Sequence, residues 1–136
     1  MVKKLLASLL MLMCFLSVSK AQTCRDKNNM TIGKIDSDGT VRNSSNMKIG
    51  CFDKNGTIRD ANNMKIGCID GSTIRDKNNM KIGSIESNGT VRDASNMKIG
   101  LVESNGTVRD ANNMKVGSAD GVNPTYAAVF FFFNRF

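Results

Sequence analysis

From residue 23 onward, apolar and polar positions alternate in short bursts. Thr40-Val41-Arg42-Asn43 alternates at period two, as does Met47-Lys48-Ile49. Period two is the signature of a half-buried strand, and no window from 23 to 122 carries helical periodicity. The bursts recur. Block A, Thr-Val/Ile-Arg-Asp, appears at Thr23, Thr40, Thr57, Thr73, Thr90 and Thr107. Block B, Met-Lys-Ile-Gly, opens at Met30, Met47, Met64, Met80, Met97 and Met114, with offsets of 17, 17, 16, 17 and 17. The chain from 22 to 122 is therefore a repeat domain of short β-hairpins.

Turn residues separate the blocks. Ser37-Asp38-Gly39, Lys54-Asn55-Gly56, Ser87-Asn88-Gly89 and Ser104-Asn105-Gly106 follow block B. Asn-Gly and Asp-Gly point to hairpins, with type I′ the expected turn. The fourth turn, Asp70-Gly71-Ser72, is one residue short and accounts for the offset of 16. After block A comes Asp-x-Asn-Asn or a near copy, another tight connection. The recurrent Gly inside block B (33, 50, 67, 83, 100, 117) predicts a bulge, which lets Ile49 and Phe52, on opposite parity, face one core.

A 17-residue hairpin cannot bury a core alone, so the copies must stack or close a ring. The first half-unit is an unpaired A and the last an unpaired B, and pairing them removes both sheet edges. Ten to twelve strands make a ring wider than the roughly eight that side chains alone can fill. The predicted fold is all-β: a closed ring of five or six hairpin petals with a hydrophobic helix at its centre.

The helix comes from residues 123–136, Asn-Pro-Thr-Tyr-Ala-Ala-Val-Phe-Phe-Phe-Phe-Asn-Arg-Phe. Asn123 suits a cap and Pro124 the first helical turn. The following stretch is apolar all round, as in a helix buried on every side. A helix from Pro124 to Phe136 would span roughly 20 Å, close to the ~17–20 Å of a short strand. Val129, Phe130, Phe131, Phe132 and Phe133 are the expected barrel plug. Burying the four phenylalanines would contribute on the order of 6–12 kcal/mol. A final β-strand and a membrane-inserting tail are the alternatives.

Residues 1–21 differ from the rest. Lys3 and Lys4 precede an apolar stretch from Leu5 to Val18, and Ser19-x-Ala21 is a small-x-small signal. This is the pattern of a secretory leader cleaved near Ala21. The stretch is shorter than the ~18–20 residues of a spanning anchor. Lipidation at Cys14 is the other alternative. The expected destination is exported: periplasmic, outer-membrane-associated or secreted.

Composition narrows the chemistry. The chain has 136 residues, a net charge of +7 and no His. Removing the leader leaves sixteen bases against twelve acids, a mild +4 that carries no nucleic-acid signature. The lack of His excludes Ser-His-Asp and Cys-His catalysis and His-ligated zinc. Near-identical repeats do not converge unlike residues in one asymmetric pocket, so no catalytic residue, metal site or cofactor is expected.

Two recurrent cations are the candidate ligand-binding residues: Arg42, Arg59, Arg75, Arg92 and Arg109, with Arg25 in the first copy, and Lys48, Lys65, Lys81, Lys98 and Lys115. Alternation points both sets away from the Val/Ile face. A ring of them could hold an anionic lipid, a glycan or an envelope protein. The competing explanation is a solvated outer face on which equally frequent acids pair with the bases. Cys51 and Cys68 occupy one position in adjacent repeats, two strands or roughly 10 Å apart, beyond disulfide reach. The Asp-x-Asp-Gly turns offer too few oxygens for calcium. The six methionines are expected to pack in the core, with soft-metal binding the alternative.

The repeat Met-Lys-Ile-Gly-x-Ile-Asp/Glu-x-Asn-Gly-Thr-Val/Ile-Arg-Asp/Asn, the leader and the terminal Ala-Ala-Val-Phe-Phe-Phe-Phe together resemble the bacterial five-fold β-flower proteins. That resemblance implies hairpin petals around a shallow barrel in an exported chain. It also implies a likeness to tubby-like domains, whose barrel encloses a hydrophobic helix and which bind phosphoinositides. By that analogy of fold, a lipid or membrane-surface role follows. The sequence departs from its own consensus at Cys24, Thr31, Asn43 and the shortened fourth turn. Two functions are expected from these features. One is a non-catalytic, monomeric envelope module with a structural or partner-binding role. The other is a lipid-binding protein that uses the Phe-rich tail or a hydrophobic lumen.

Overall fold

The computed structural model describes residues 22–133 and 136. The leader, its cleavage site and Cys14 lie outside the described residues.

Twelve short strands form: β1 (Thr23–Asp26), β2 (Thr31–Ile35), β3 (Thr40–Asn43), β4 (Lys48–Phe52), β5 (Thr57–Asp60), β6 (Lys65–Asp70), β7 (Thr73–Asp76), β8 (Lys81–Ile85), β9 (Thr90–Asp93), β10 (Lys98–Val102), β11 (Thr107–Asp110) and β12 (Lys115–Ala119). Each pairs antiparallel with its sequence neighbours, and β1 closes on β12. The odd strands are block A, the even strands block B. The petals number six, so the choice between five and six is decided. Closure brings Cys24 opposite Ala119 and Arg25 opposite Ser118, and Gln22 Nε2 donates to the Gly121 carbonyl at 3.2 Å across the seam. No sheet edge is left open.

The bulge lies where the glycines predicted it. Val41 pairs with Gly50 but Arg42 with Lys48, leaving Ile49 as the extra residue on β4. The same shift recurs on the other even strands, as between Ile58 and Arg59 opposite β6.

The turns differ from the expected type I′. Only Gly39, not Asp38, has positive φ, at 92°. Gly39 N–H donates to the Asp36 carbonyl at 2.9 Å and Asp36 N–H to that of Thr40 at 2.8 Å. These are three-residue loops in which the glycine takes the left-handed position after a turn. The shortened copy is a two-residue loop with Gly71 at its first position, φ 61°. The turns after block A use the same three-residue geometry with Asn in place of Gly: Asn46 has φ 66°. There the last residue of block A caps the loop. Asn43 Oδ1 accepts from Ser45 N–H at 2.9 Å and Met47 N–H at 3.0 Å, and Asp60 does the same for Asn62 and Met64. Asn43 thus performs the task of its Asp counterparts.

The two turn types define two rims, the glycine-turn rim and the asparagine-turn rim. Between them the wall is apolar inside. Cys24, Val41, Ile58, Ile74, Val91 and Val108 form one fully buried layer. Ile35, Phe52, Ile85, Val102 and Ala119 form a second towards the glycine-turn rim, with Ile69 half-buried in the sixth place. Ile32, Ile49, Ile66, Ile82, Ile99 and Val116 lie half-buried towards the asparagine-turn rim.

The tail enters this barrel as a helix. α1 (Pro124–Ala128) is capped by Asn123, whose side chain accepts from Thr125 N–H at 2.9 Å. It does not run on as α-helix to Phe136. Val129–Phe133 is a π-helical turn. A ring of six petals sets seats about 60° apart, whereas an α-helix advances about 100° per residue. The wider coil turns less per residue, which narrows the mismatch, and successive phenyl rings reach successive petals. Ala127, Ala128 and Val129 are fully buried, while Phe130 to Phe133 are only half-buried. Their contribution therefore falls below the figure for full burial.

Candidate functional site

The cations divide into two groups. Each arginine of the outer wall is committed. Arg59 Nε donates to Asp53 Oδ2 at 2.8 Å and its Nη1 to the Asn63 carbonyl at 3.1 Å. Arg42 is held likewise by Asp36 and the Asn46 carbonyl. Arg92 and Arg109 bond Glu86 and Glu103 at 2.6 Å. Arg75 reaches Asp70 at only 3.7 Å, in the petal with the shortened turn. These arginines run down the outside of each petal and tie the glycine-turn rim to the asparagine-turn loop. At Arg25, whose repeat has no acid six residues before it, Thr31 Oγ1 and the Asn29 carbonyl serve instead.

The lysines are placed differently. Lys48, Lys65, Lys81, Lys98 and Lys115 are exposed near the asparagine-turn rim, and Lys27 and Lys77 stand in its loops. None of the seven lies within ion-pairing distance of a carboxylate among the described residues. The five aspartates of that rim turn their carboxylates onto their own loops, as Asp110 does to Asn112 and Met114 N–H. The opposite rim holds seven acids (Asp36, Asp38, Asp53, Asp70, Glu86, Glu103, Asp120) against Lys34 and Lys54. The molecule is electrically polar along its axis, positive at the asparagine-turn end.

The methionines overturn the expectation that they pack in the core. Met30, Met47, Met64, Met80, Met97 and Met114 are each 64–66% exposed. Each stands one residue before its strand, where the chain is still leaving the asparagine turn, so alternation gave their face but not their depth. The six stand on the same positive rim, above the half-buried Ile/Val ring.

The phenylalanines complete that end. The chain enters at the glycine-turn rim, where the Tyr126 ring stacks on Phe52 with centroids 4.1 Å apart, and runs towards the asparagine turns. There each recurrent glycine but one receives a phenyl ring. Phe130 lies over Gly33, Phe131 over Gly117, Phe132 over Gly100, Phe133 over Gly83 and Phe136 over Gly50. In the barrel these glycines stand on β2, β12, β10, β8 and β4, so Phe130 to Phe133 address four consecutive petals and Phe136 the petal beyond β6. A Cβ on Gly33 would stand 2.8 Å from Phe130 Cζ, so only glycine admits the ring. At Gly67 no aromatic lies within reach among the described residues.

Other features carry less. Cys24, Cys51 and Cys68 are free. Burial pushes the Cys24 thiol up to about 12, which makes it inert. Burial, then the charge of Asp53, raises Cys51 as well. Two open clefts of about 230 and 270 Å³ flank Tyr126 at the glycine-turn rim. No group of His, Cys, Asp or Glu able to hold a metal occurs among the described residues. No described helix is long and apolar enough to cross a membrane.

A closed ring of repeated hairpins around a C-terminal helix is the architecture the repeat motif implied, and the family model described as 5-fold beta-flower protein matches residues 19–135. The chain belongs to this family. Its β-flower has six petals rather than the five of the family description. No curated protein and no solved structure matches the chain.

Proposed function

We propose that this β-flower is a non-catalytic exported module that works by attachment to another envelope component, with its tail serving as its own core. The observation that carries this reading is the seating of five phenylalanines on five petal glycines, which makes the aromatic tail a structural part rather than a free ligand arm. Three features support it. The leader pattern of residues 1–21 directs the chain outward. The repeats present the same groups six times around a ring, which suits binding to an extended surface and not chemistry in a pocket. The outer arginines are spent on intrapetal pairs, so the wall holds the petals in shape and leaves recognition to the rims.

Two measurements test it. The chain ending at Val122 should fail to fold, by loss of cooperative unfolding and of the β circular-dichroism signal. Fractionation of cells expressing the full chain should recover the processed form outside the cytoplasm. A truncated chain that folds as well as the full one, or full-length protein in the cytoplasm, defeats the reading.

A further inference from the structure

We infer that the asparagine-turn rim is a docking face for an anionic phospholipid bilayer. The inference rests on reading the chain as an attachment module, and names what it attaches to.

Four observations meet on that rim. Six methionines, each about two-thirds exposed, form an apolar crown. Isolated exposed apolar residues are ordinary, but six at one level around one mouth, backed by further apolar side chains, mark an interaction surface. The half-buried Ile/Val ring and the phenyl rings lie inside the crown and continue the apolar surface across the mouth. Seven exposed lysines without carboxylate partners among the described residues surround it, at the positive end of the molecule. Asparagines occupy the turns that form the tips of this rim and give it polar groups beside the crown.

Apolar centre and cationic border are the layout of a protein that sits in a bilayer interface. The thioethers and rings enter the acyl boundary while the lysine amines stay at headgroup level. Two arguments choose the bilayer over other occupants. A second copy, face to face, would set seven lysines without ion-pair partners among the described residues against seven more, while the five aspartates of that rim stay turned onto their own loops. A folded protein partner would need an orientation about the barrel axis, and this rim is nearly the same every sixth of a turn. A fluid surface has no such requirement. The tail remains in the barrel throughout, so docking needs no unplugging.

The test uses the processed chain, residues 22–136, with sonicated vesicles of phosphatidylcholine alone or in equal parts with phosphatidylglycerol. Co-sedimentation should occur with the anionic vesicles and weaken with added salt. The triple variant Lys48→Gln/Lys65→Gln/Lys98→Gln should bind roughly a hundredfold more weakly, since each surface lysine strengthens binding about fivefold near an anionic membrane. Met47→Ser/Met64→Ser/Met97→Ser, at exposed positions that leave the fold intact, should lose binding by at least tenfold. Lys34→Gln/Lys54→Gln, on the other rim, should bind as the parent does. Circular dichroism verifies that each variant is folded. The inference is overturned by a folded parent that ignores anionic vesicles, by crown and lysine variants that bind undiminished, or by parent self-association that the methionine variant abolishes. Each of these leaves the attachment reading itself standing if the processed protein still fractionates with the envelope.

Discussion

Replacing Gly33 or Gly67 by alanine adds the same methyl group to equivalent strands, yet the two should differ. At Gly67 the new Cβ would lie 2.6 Å from the Arg75 carbonyl oxygen, and the nearest side-chain atom, Ile58 Cδ1, is 3.7 Å away. At Gly33 it would meet the Arg42 carbonyl oxygen at 2.7 Å and also Phe130 Cζ and Cε2 at 2.8 and 3.2 Å. The carbonyl cost is shared, so the difference between the variants isolates the phenyl ring. Forcing extra volume into a filled site costs about 1–3 kcal/mol, and Gly33→Ala should be less stable than Gly67→Ala by that amount. Phe130→Ala alone should cost about 2 kcal/mol, roughly half the value for a fully buried ring, because Phe130 is half-buried. Combined with Gly33→Ala it removes the obstacle, so the double variant should be more stable than additivity predicts by about 1–3 kcal/mol. The assay is urea unfolding of residues 22–136. Far-ultraviolet circular dichroism would be followed beside the fluorescence of Tyr126, the sole tyrosine, since coincident transitions justify a two-state analysis. Equal losses at Gly33 and Gly67, or strict additivity with Phe130→Ala, would refute the one-ring-per-petal seating.

Three further outcomes are expected. Asn46→Gly should leave stability nearly unchanged while Asn46→Ala costs about 1 kcal/mol by thermal melting, because the site holds φ at 66°. Arg59→Met should cost no more than about 1 kcal/mol by the same melt, since its partner Asp53 is partly exposed and water screens the pair. In the native protein a thiol reagent should modify the half-exposed Cys51 and Cys68 and spare Cys24. The folded Cys24 thiol titrates near 12 against an ordinary 9.0. Above pH 9 the unfolded chain therefore releases a proton that the folded chain keeps, so this contribution to stability is complete below pH 9 and falls as pH rises towards 12. Urea midpoints across that range should fall less steeply for Cys24→Val, which restores the residue of the other petals.

The repeat period, the strand positions, the bulge at the glycine and the need for a central filler all follow from local pattern. Thr-Val-Arg-Asn alternates, Met-Lys-Ile-Gly breaks alternation at a residue with no side chain, and the tail is apolar on every side. What local pattern could not supply is depth. Met47 shares the inward parity of a core residue, but nothing in its neighbours reports that the barrel ends before it. Turn type escaped for a related reason. Asn-Gly announces a hairpin, while loop length depends on how the flanking Asp36 and Thr40 pair, which is a property of two strands together. The seating of the rings had a signal in plain view: five phenylalanines in the last seven residues against six evenly spaced glycines. Their order around the ring required closure to be known first. The commitment of the arginines was equally visible as an acid six residues before each of four and five residues before Arg75, though only the wall geometry shows that the lysines lack such partners among the described residues.

Eleven of the twelve strand pairings are joined by a loop, and the twelfth, between β1 and β12, is held by its ladder and the Gln22–Gly121 hydrogen bond with no loop across it. The strand on one side of that seam also feeds the tail into the barrel, so the one joint without a loop and the central filler are coupled. A chain whose seam parts while the other eleven pairings hold would expose two edges that are each other's natural complement. Such a chain is completed as readily by its neighbour as by itself, and the repeat that closes the ring would then propagate a linear polymer.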